Sequence, residues 1–356
     1  MKRKIYLWGG IVAVILAAAF FVYSKWMSAT KVAFVNYQII TLGEIHKAND
    51  NSFIKIATVD TEELDKLKGY DMVFINAMGL RITEEQRAQI QKAADEGLPV
   101  LSTAVTNPAN KIISIDSLQA DTLKQYLNNG GRRNYRSLLN YVRKYIDGKK
   151  ISIHEPEAVV ERANDMLYHA VPGKPDEEEL GFNSIAEYHA FLRKHGLLKE
   201  GAPRIIITGP MGQPADLIRR LEETGTVVYP VRNMKNLIGN HHIDSVQPSA
   251  VINMAHGRMG DYIVDYLAQQ NIPLFAPLNA NRLVEKWEDD KMGMNGGFLS
   301  QSVVTPEIDG ALRPFVVFGH YKDEEGMHHA FAIPERLETF VETINNYLSL
   351  QRKPNS

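Results

Sequence analysis

From Lys31 onward, short apolar, β-branched runs alternate with stretches whose apolar positions recur every three to four residues. Lys31–Tyr37, Phe53–Val59, Asp71–Asn76 and Pro99–Val105 are near-continuous apolar runs, the pattern of strands buried on both faces. Between the last two, Thr83 followed by Glu84, Glu85 and Gln86 predicts a capped helix start, and Gly97 predicts its end. This alternation predicts a parallel sheet covered by helices over residues 31–116. The first strand-to-helix turn, Asn36-Tyr37-Gln38, lacks the glycines of a dinucleotide phosphate loop.

Residues 117–202 read as a helical and polar connecting segment. Helical periodicity runs from Ser117 to Ile146, broken at Asn128-Asn129-Gly130-Gly131. Tyr135, Leu138, Leu139, Val142, Tyr145 and Ile146 form its apolar stripe. Arg132, Arg133, Arg136, Arg143 and Lys144 fill the other positions, either as a solvated face or as a cationic one for propionates, phosphates or lipid head groups. A polar bridge with Pro172, Pro175 and the acidic run Asp176 to Glu179 follows, then a short helix from Ser184.

Residues 203–356 repeat the α/β rhythm without a visible sequence repeat. Strands are predicted at 204–208, 226–231, 250–254 and 273–276, with helices at 215–223 and 261–270. A β-hairpin is expected from 315–320 and 328–333, and a linker helix from Pro334 to about Leu350. The fold class is therefore α/β: two flavodoxin- or Rossmann-like parallel-sheet lobes joined by a helical segment.

One further element precedes the lobes. Lys2, Arg3 and Lys4 stand before an uncharged run from Ile5 to Tyr23, which Lys25 closes. As a helix that run spans about 28 Å, close to a bilayer's hydrocarbon thickness. Its exit, Phe20-Phe21-Val22-Tyr23, is bulky, which argues for an uncleaved transmembrane helix within residues 1–30. A signal peptide cut near Ser28-Ala29-Thr30 is the alternative. The cationic start orients the N-terminus to the cytoplasm, so an inner-membrane protein with a periplasmic bulk is expected.

Composition narrows the chemistry. The 356 residues carry 40 basic and 42 acidic side chains, net −2, which gives no reason to expect nucleic acid as a partner. No cysteine is present, so disulfides, thiolate metal sites and cysteine nucleophiles are excluded. Any metal must be held by histidines, of which there are 11, and carboxylates. His241 and His242 are adjacent and point apart on a regular element. His320 and His328 can meet across the hairpin, with Glu324 or Glu325 nearby, as a metal site or as ordinary surface histidines. His256, in Ala255-His256-Gly257-Arg258-Met259-Gly260, follows a buried strand and precedes a helix. That is the carboxyl edge where α/β sheets bind ligands, and Gly257 and Gly260 suit the approach of an anion. Gly209-Pro210-Met211-Gly212 occupies the turn after the strand at 204–208. No GxSxG elbow, Walker loop or kinase signature occurs, which disfavours hydrolase or nucleotide-driven chemistry within the chain.

A resemblance adds to this. Met166-Leu167-Tyr168-His169, Gly181-Phe182-Asn183-Ser184 and Glu187-Tyr188 resemble a stretch of cobaltochelatase (CobN) and magnesium-chelatase large subunits. The likeness continues through Trp287, Gly293 and Pro306-Glu307-Ile308-Asp309-Gly310 to Tyr347-Leu348 and Arg352-Lys353-Pro354-Asn355-Ser356. It covers roughly Gly130 to Ser356. Ala170 departs from the family, which has proline after Tyr-His, and members run on for hundreds of residues beyond this point.

The resemblance implies the amino-terminal portion of a metal–tetrapyrrole ligase that binds the macrocycle, with the metal-insertion centre in the part that follows. A corrinoid, porphyrin or haem, and a divalent cobalt, magnesium or iron ion as cargo, are the implied substrates. No tightly bound cofactor is expected, and ATP acts only through partner ATPase subunits. His169, His256, Arg258, Trp287, Glu307 and Asp309 are the ligand-binding candidates; catalytic residues are not identified. The resemblance and the anchor together also suggest a periplasm-facing haem dechelatase. A non-catalytic tetrapyrrole-binding module is the third reading. Each residue has a plainer alternative: Glu307 and Asp309 as turn caps before Gly310, Trp287 as a core residue.

Overall fold

The computed structural model describes residues 12, 14–161, 167–172, 179–209, 214–240, 242–324 and 326–351. The chain divides into two compact units, Met1–Glu161 and Arg162–Ser356. Of the sequence features above, Met166, Pro175, Asp176–Glu178, Pro210–Gly212, His241, Glu325 and Arg352–Ser356 lie outside the described residues.

In the first unit, β1 (Thr30–Val35), β2 (Ile54–Thr58), β3 (Met72–Asn76) and β4 (Val100–Thr103) form a parallel sheet ordered β2-β1-β3-β4. Alternate residues face opposite sides, and both sides are buried. Val32, Phe34, Phe74 and Leu101 meet the helices Ile39–Ala48, Ser117–Asn129 and Arg132–Tyr141. Val35, Val73, Ile75 and Val100 meet Leu64, Leu67 and Ile90 on the other side. Two-sided burial is why these strands read as unbroken apolar runs. Thr83 caps the helix Glu84–Asp95, its side chain accepting from the Gln86 N–H while the Gln86 side chain accepts from the Thr83 N–H.

The cationic stripe of the helix at 132–146 is not one solvated face. Arg143 is fully buried. Its guanidinium donates to the carbonyls of Ser28, Ile151 and Ser152 and to Thr30 Oγ1, at 2.7–3.0 Å. Arg133 and Arg136 each reach Glu157 at 2.6 Å, and Lys144 pairs with Glu155. The stripe binds the chain's own segment from Ile151 to Glu157.

In the second unit, β5 (Leu167–His169) and β6 (Leu180–Phe182) make a two-stranded antiparallel ribbon. The main sheet comprises β7 (Arg204–Thr208), β8 (Val227–Pro230), β9 (Ala250–Asn253), β10 (Leu274–Leu283), β11 (Leu312–Lys322) and β12 (His328–Ala332). Its order is β12-β11-β10-β9-β7-β8, parallel except for the β11–β12 hairpin. Helices Ala215–Glu223 and Pro334–Gln351 cover one face through Leu217, Leu221, Phe340 and Ile344. Tyr188, Leu192, Leu237, Ile263 and Leu267, from three other helices, cover the second face.

The mixed α/β fold with parallel sheets is as expected; the N-terminal transmembrane helix is not. Among the described residues, no helix is long and apolar enough to cross a membrane. The described helical residues 14–22 pass into a widened turn, Tyr23–Met27, that carries Lys25. Residues 5–11 and 13 of the expected span lie outside the described residues. The inner-membrane, periplasm-facing placement and the membrane as a partner rested on that helix, and both are withdrawn with it.

Candidate functional site

In the second unit, the chain leaves β7 toward β8 on one side, and β9 lies on the other. The carboxyl ends of β7 and β9 therefore flank the topological switch point of the sheet, where parallel α/β sheets accept ligands. Two strand ends among the described residues, those of β3 and β9, stop in the same way. The side-chain oxygen of an asparagine accepts the N–H two residues on: Asn76 from Met78 and Asn253 from Ala255. Each such bond replaces a ladder hydrogen bond and turns the backbone out of the sheet.

At the switch point, Gly209 has φ +62°, and a Cβ there would lie 2.7 Å from Ala255 Cβ and 2.9 Å from Asn253 Oδ1. Only glycine lets the β7 and β9 exits pass so closely. The loop after β9 then carries His256, half-buried, with Nδ1 3.0 Å from Ser302 Oγ and its ring 5.5 Å edge-on to Phe298. Gly257 N–H donates to the Gln301 carbonyl at 2.8 Å. Burial lowers the His256 pKa below the ordinary imidazole value, so the ring is neutral at pH 7. Among the described residues, its Nε2 has no hydrogen-bond partner. Ser302 is fully buried, which rules it out as a nucleophile toward an external substrate; it orients the imidazole.

Arg258 and Asp309 lock this loop to the short helix Thr305–Ile308. Arg258 Nε donates to Asp309 Oδ1 at 2.5 Å, and the Met259 N–H donates to Asp309 Oδ2 at 2.7 Å. Arg258 also reaches Asp261 at 2.8 Å. The Asp309 side chain is 1% exposed. At the start of the helix Asp261–Gln269, where the glycines suggested an anion site, Asp309 supplies the protein's own carboxylate.

The structure thus brings His256, Arg258 and Asp309 together and distributes the other candidates. Glu307 is exposed on the turn before Asp309. Trp287 is half-buried, with the Arg336 guanidinium 4.8 Å from its ring centre. His169 is buried on β5, with Nε2 2.8 Å from Glu222 Oε1 and Nδ1 2.7 Å from the Ala170 carbonyl. Both partners accept, so the ring must donate from both nitrogens and carry a proton on each. Burial opposes that charge, but Glu222 and the Ala170 carbonyl outweigh it and raise the His169 pKa. His320 and His328 do meet on the hairpin, with ring centres 5.8 Å apart. Among the described residues, no three histidine or carboxylate side chains come together to hold a metal.

Sequence reasoning passed over Asn253, Phe298, Gln301, Ser302 and Glu222. Asn253 closes a β-branched run and could have been read as a strand terminator. Ser302 and Phe298 lie more than 40 positions from His256 and carry no local signal.

Comparisons with known proteins agree with this architecture. The family model described as CobN/Magnesium Chelatase matches residues 124–356. An uncharacterized protein of Methanocaldococcus jannaschii, MJ1441, is 26% identical over 113 residues, covering 32% of this chain and 9% of that protein. The catalytic subunit of cobaltochelatase from Mycobacterium tuberculosis superposes with a TM-score of 0.58 at 16% identity. That match covers 88% of this chain and 26% of the subunit, so this chain spans about a quarter of its length. The similarity to the subunit is one of fold.

Proposed function

The chain belongs to the CobN/Magnesium Chelatase family, and on that premise we propose that its second unit holds a tetrapyrrole at the β7–β9 edge, as part of a chelatase large subunit. The observation that carries this reading is His256, a neutral, half-buried imidazole at the switch point with an unengaged Nε2. Inserting a metal requires the macrocycle to be held and distorted, its pyrrole protons removed and a dehydrated ion positioned. A neutral imidazole suits such a site, as an acceptor for a pyrrole N–H or as a passing ligand for the ion.

Its surroundings suit a broad, flat, apolar ligand. Phe298 lies edge-on to the ring, and the same segment exposes Leu299 (39%), Val304 (44%) and Ile308 (63%). Arg258, shared between two carboxylates, supports the loop. Cobalt, magnesium or iron is cargo in this reading, and ATP is spent by partner subunits, since the chain carries no Walker sequence. The haem dechelatase reading drew its weight from the membrane anchor, and no observation now favours it.

The test is an absorption and fluorescence titration of the full chain with a metal-free porphyrin and a metal-free corrinoid. Saturable binding to one of them is expected, with His256→Gln weakening it at least tenfold at unchanged circular dichroism. If neither titrates, or if His256→Gln binds as the wild type does, the reading is wrong. Metallation measured with chelatase ATPase subunits and the remaining part of a large subunit added then separates a working portion from a module that only binds.

A further inference from the structure

The β11–β12 hairpin holds a pair of polar atoms that the fold leaves unanswered. His320 Nε2 and His328 Nδ1 are both buried and have no hydrogen-bond partner. His320 is 5% exposed, deep enough for an unmatched nitrogen to be costly. The register explains how the two meet: His320 stands opposite Ala330 and Lys322 opposite His328, so the two histidines project from the same side on a diagonal. Asp323 hydrogen-bonds neither of these two nitrogens; its Oδ2 is 2.7 Å from His329 Nε2, and Oδ1 accepts from the Met327 N–H.

We infer that His320 and His328 form a site for a first-row transition-metal ion with imidazole preference, such as copper, nickel, cobalt or zinc. An imidazole nitrogen ligates at ~2.0–2.1 Å, which places the ring centre about 3.2 Å from the ion. Two rings sharing an ion then stand roughly 4.5 Å apart at a right angle and about 6.4 Å apart in line. The observed 5.8 Å falls inside that range. Lys322, opposite His328 in the register, and Lys286 both lie within electrostatic reach of the His328 ring. The two lysines also weigh against ions bound mainly through charge, such as magnesium or calcium. With two protein donors, the remaining positions fall to water or an incoming group, which leaves the ion exchangeable.

The site is read from the hairpin alone and does not depend on the tetrapyrrole reading; porphyrin titration leaves it untouched, and metal titration leaves that reading untouched. The experiment adds copper(II) to the full chain at less than one equivalent and records its electron paramagnetic resonance. Nitrogen couplings from two imidazoles are expected, and His320→Gln or His328→Gln should each lose them and weaken binding at least tenfold. Zinc(II) added to the wild type should move the ring signals of His320 and His328 together in the nuclear magnetic resonance spectrum, a readout that needs no variant. Unchanged copper binding in both variants, or zinc that leaves both rings unmoved, overturns the inference and assigns the two nitrogens to an internal water.

Discussion

Gly209 sets the spacing of the switch point by having no side chain. Its positive φ costs an L-residue about 1–2 kcal/mol, and contacts with Ala255 and Asn253 add an overpacking term of roughly 1–3 kcal/mol. Gly209→Ala should therefore lower stability by about 2–5 kcal/mol, read as a shift in the urea midpoint, and weaken ligand binding at the β9 loop. A second residue-scale prediction separates two neighbours that the sequence presents as a pair. Asp309→Ala leaves the Met259 N–H without its acceptor and removes one of the two carboxylates holding Arg258. It should cost about 1–3 kcal/mol and reduce tetrapyrrole affinity, whereas Glu307→Gln, on an exposed side chain, should change neither. Equal effects in thermal melts and titrations of both variants would contradict the clamp.

Between elements, side chains join segments that the backbone ladder does not. His169 ties β5 to the helix Ala215–Glu223 through Glu222, with side chains 5% and 10% exposed. Because folding raises the His169 pKa, its contribution is fully present below the unfolded value of about 6.5 and is lost as pH rises through the folded value. The wild type should lose stability relative to His169→Gln as pH is raised from 6 to 9, with the difference fading at the alkaline end. Urea midpoints across that range measure it, and a constant difference would show that the imidazole is not charged. Arg143 does comparable work in the first unit, where its guanidinium gathers carbonyls from two separate segments. Gly319 works by absence: a Cβ there would meet Val284, so the short helix Val284–Glu288 lies directly on β11.

The whole molecule consists of two units, each with its own sheet and its own buried clusters on both faces. Separate cores predict separate cooperativity. Calorimetry should give a van't Hoff enthalpy clearly below the calorimetric one, or two resolved transitions. Addition of a ligand for the β7–β9 edge should raise only the transition of the second unit. A single two-state transition moved as a whole would contradict this.

Much of the architecture was legible in the amino-acid pattern. Strands buried on both faces need continuous apolar runs and helices need a three-to-four repeat, so β1–β4 and β7–β9 could be placed within a residue or two of their ends. The β11–β12 hairpin and the capped helix after Thr83 were equally local, because turn and cap chemistry sits within a few residues. The position of His256 at a strand's carboxyl end was also readable. Only the tertiary structure decided what surrounds each side chain. Ser302, Asp309 and Glu222 reach their partners across 46, 51 and 53 positions, and spacing carries no signal over such distances. The same holds for Arg143, which belongs to a charged helical stripe by sequence and to the interior by packing. The uncharged run at the N-terminus shows the limit from the other side. Hydropathy counts residues, but crossing a membrane depends on how long the helix continues, and no described helix is long and apolar enough. Local periodicity determines secondary structure because its hydrogen bonds and burial are short-range. The chemistry of a site depends on contacts made only when distant segments pack, and the sequence by itself does not order those.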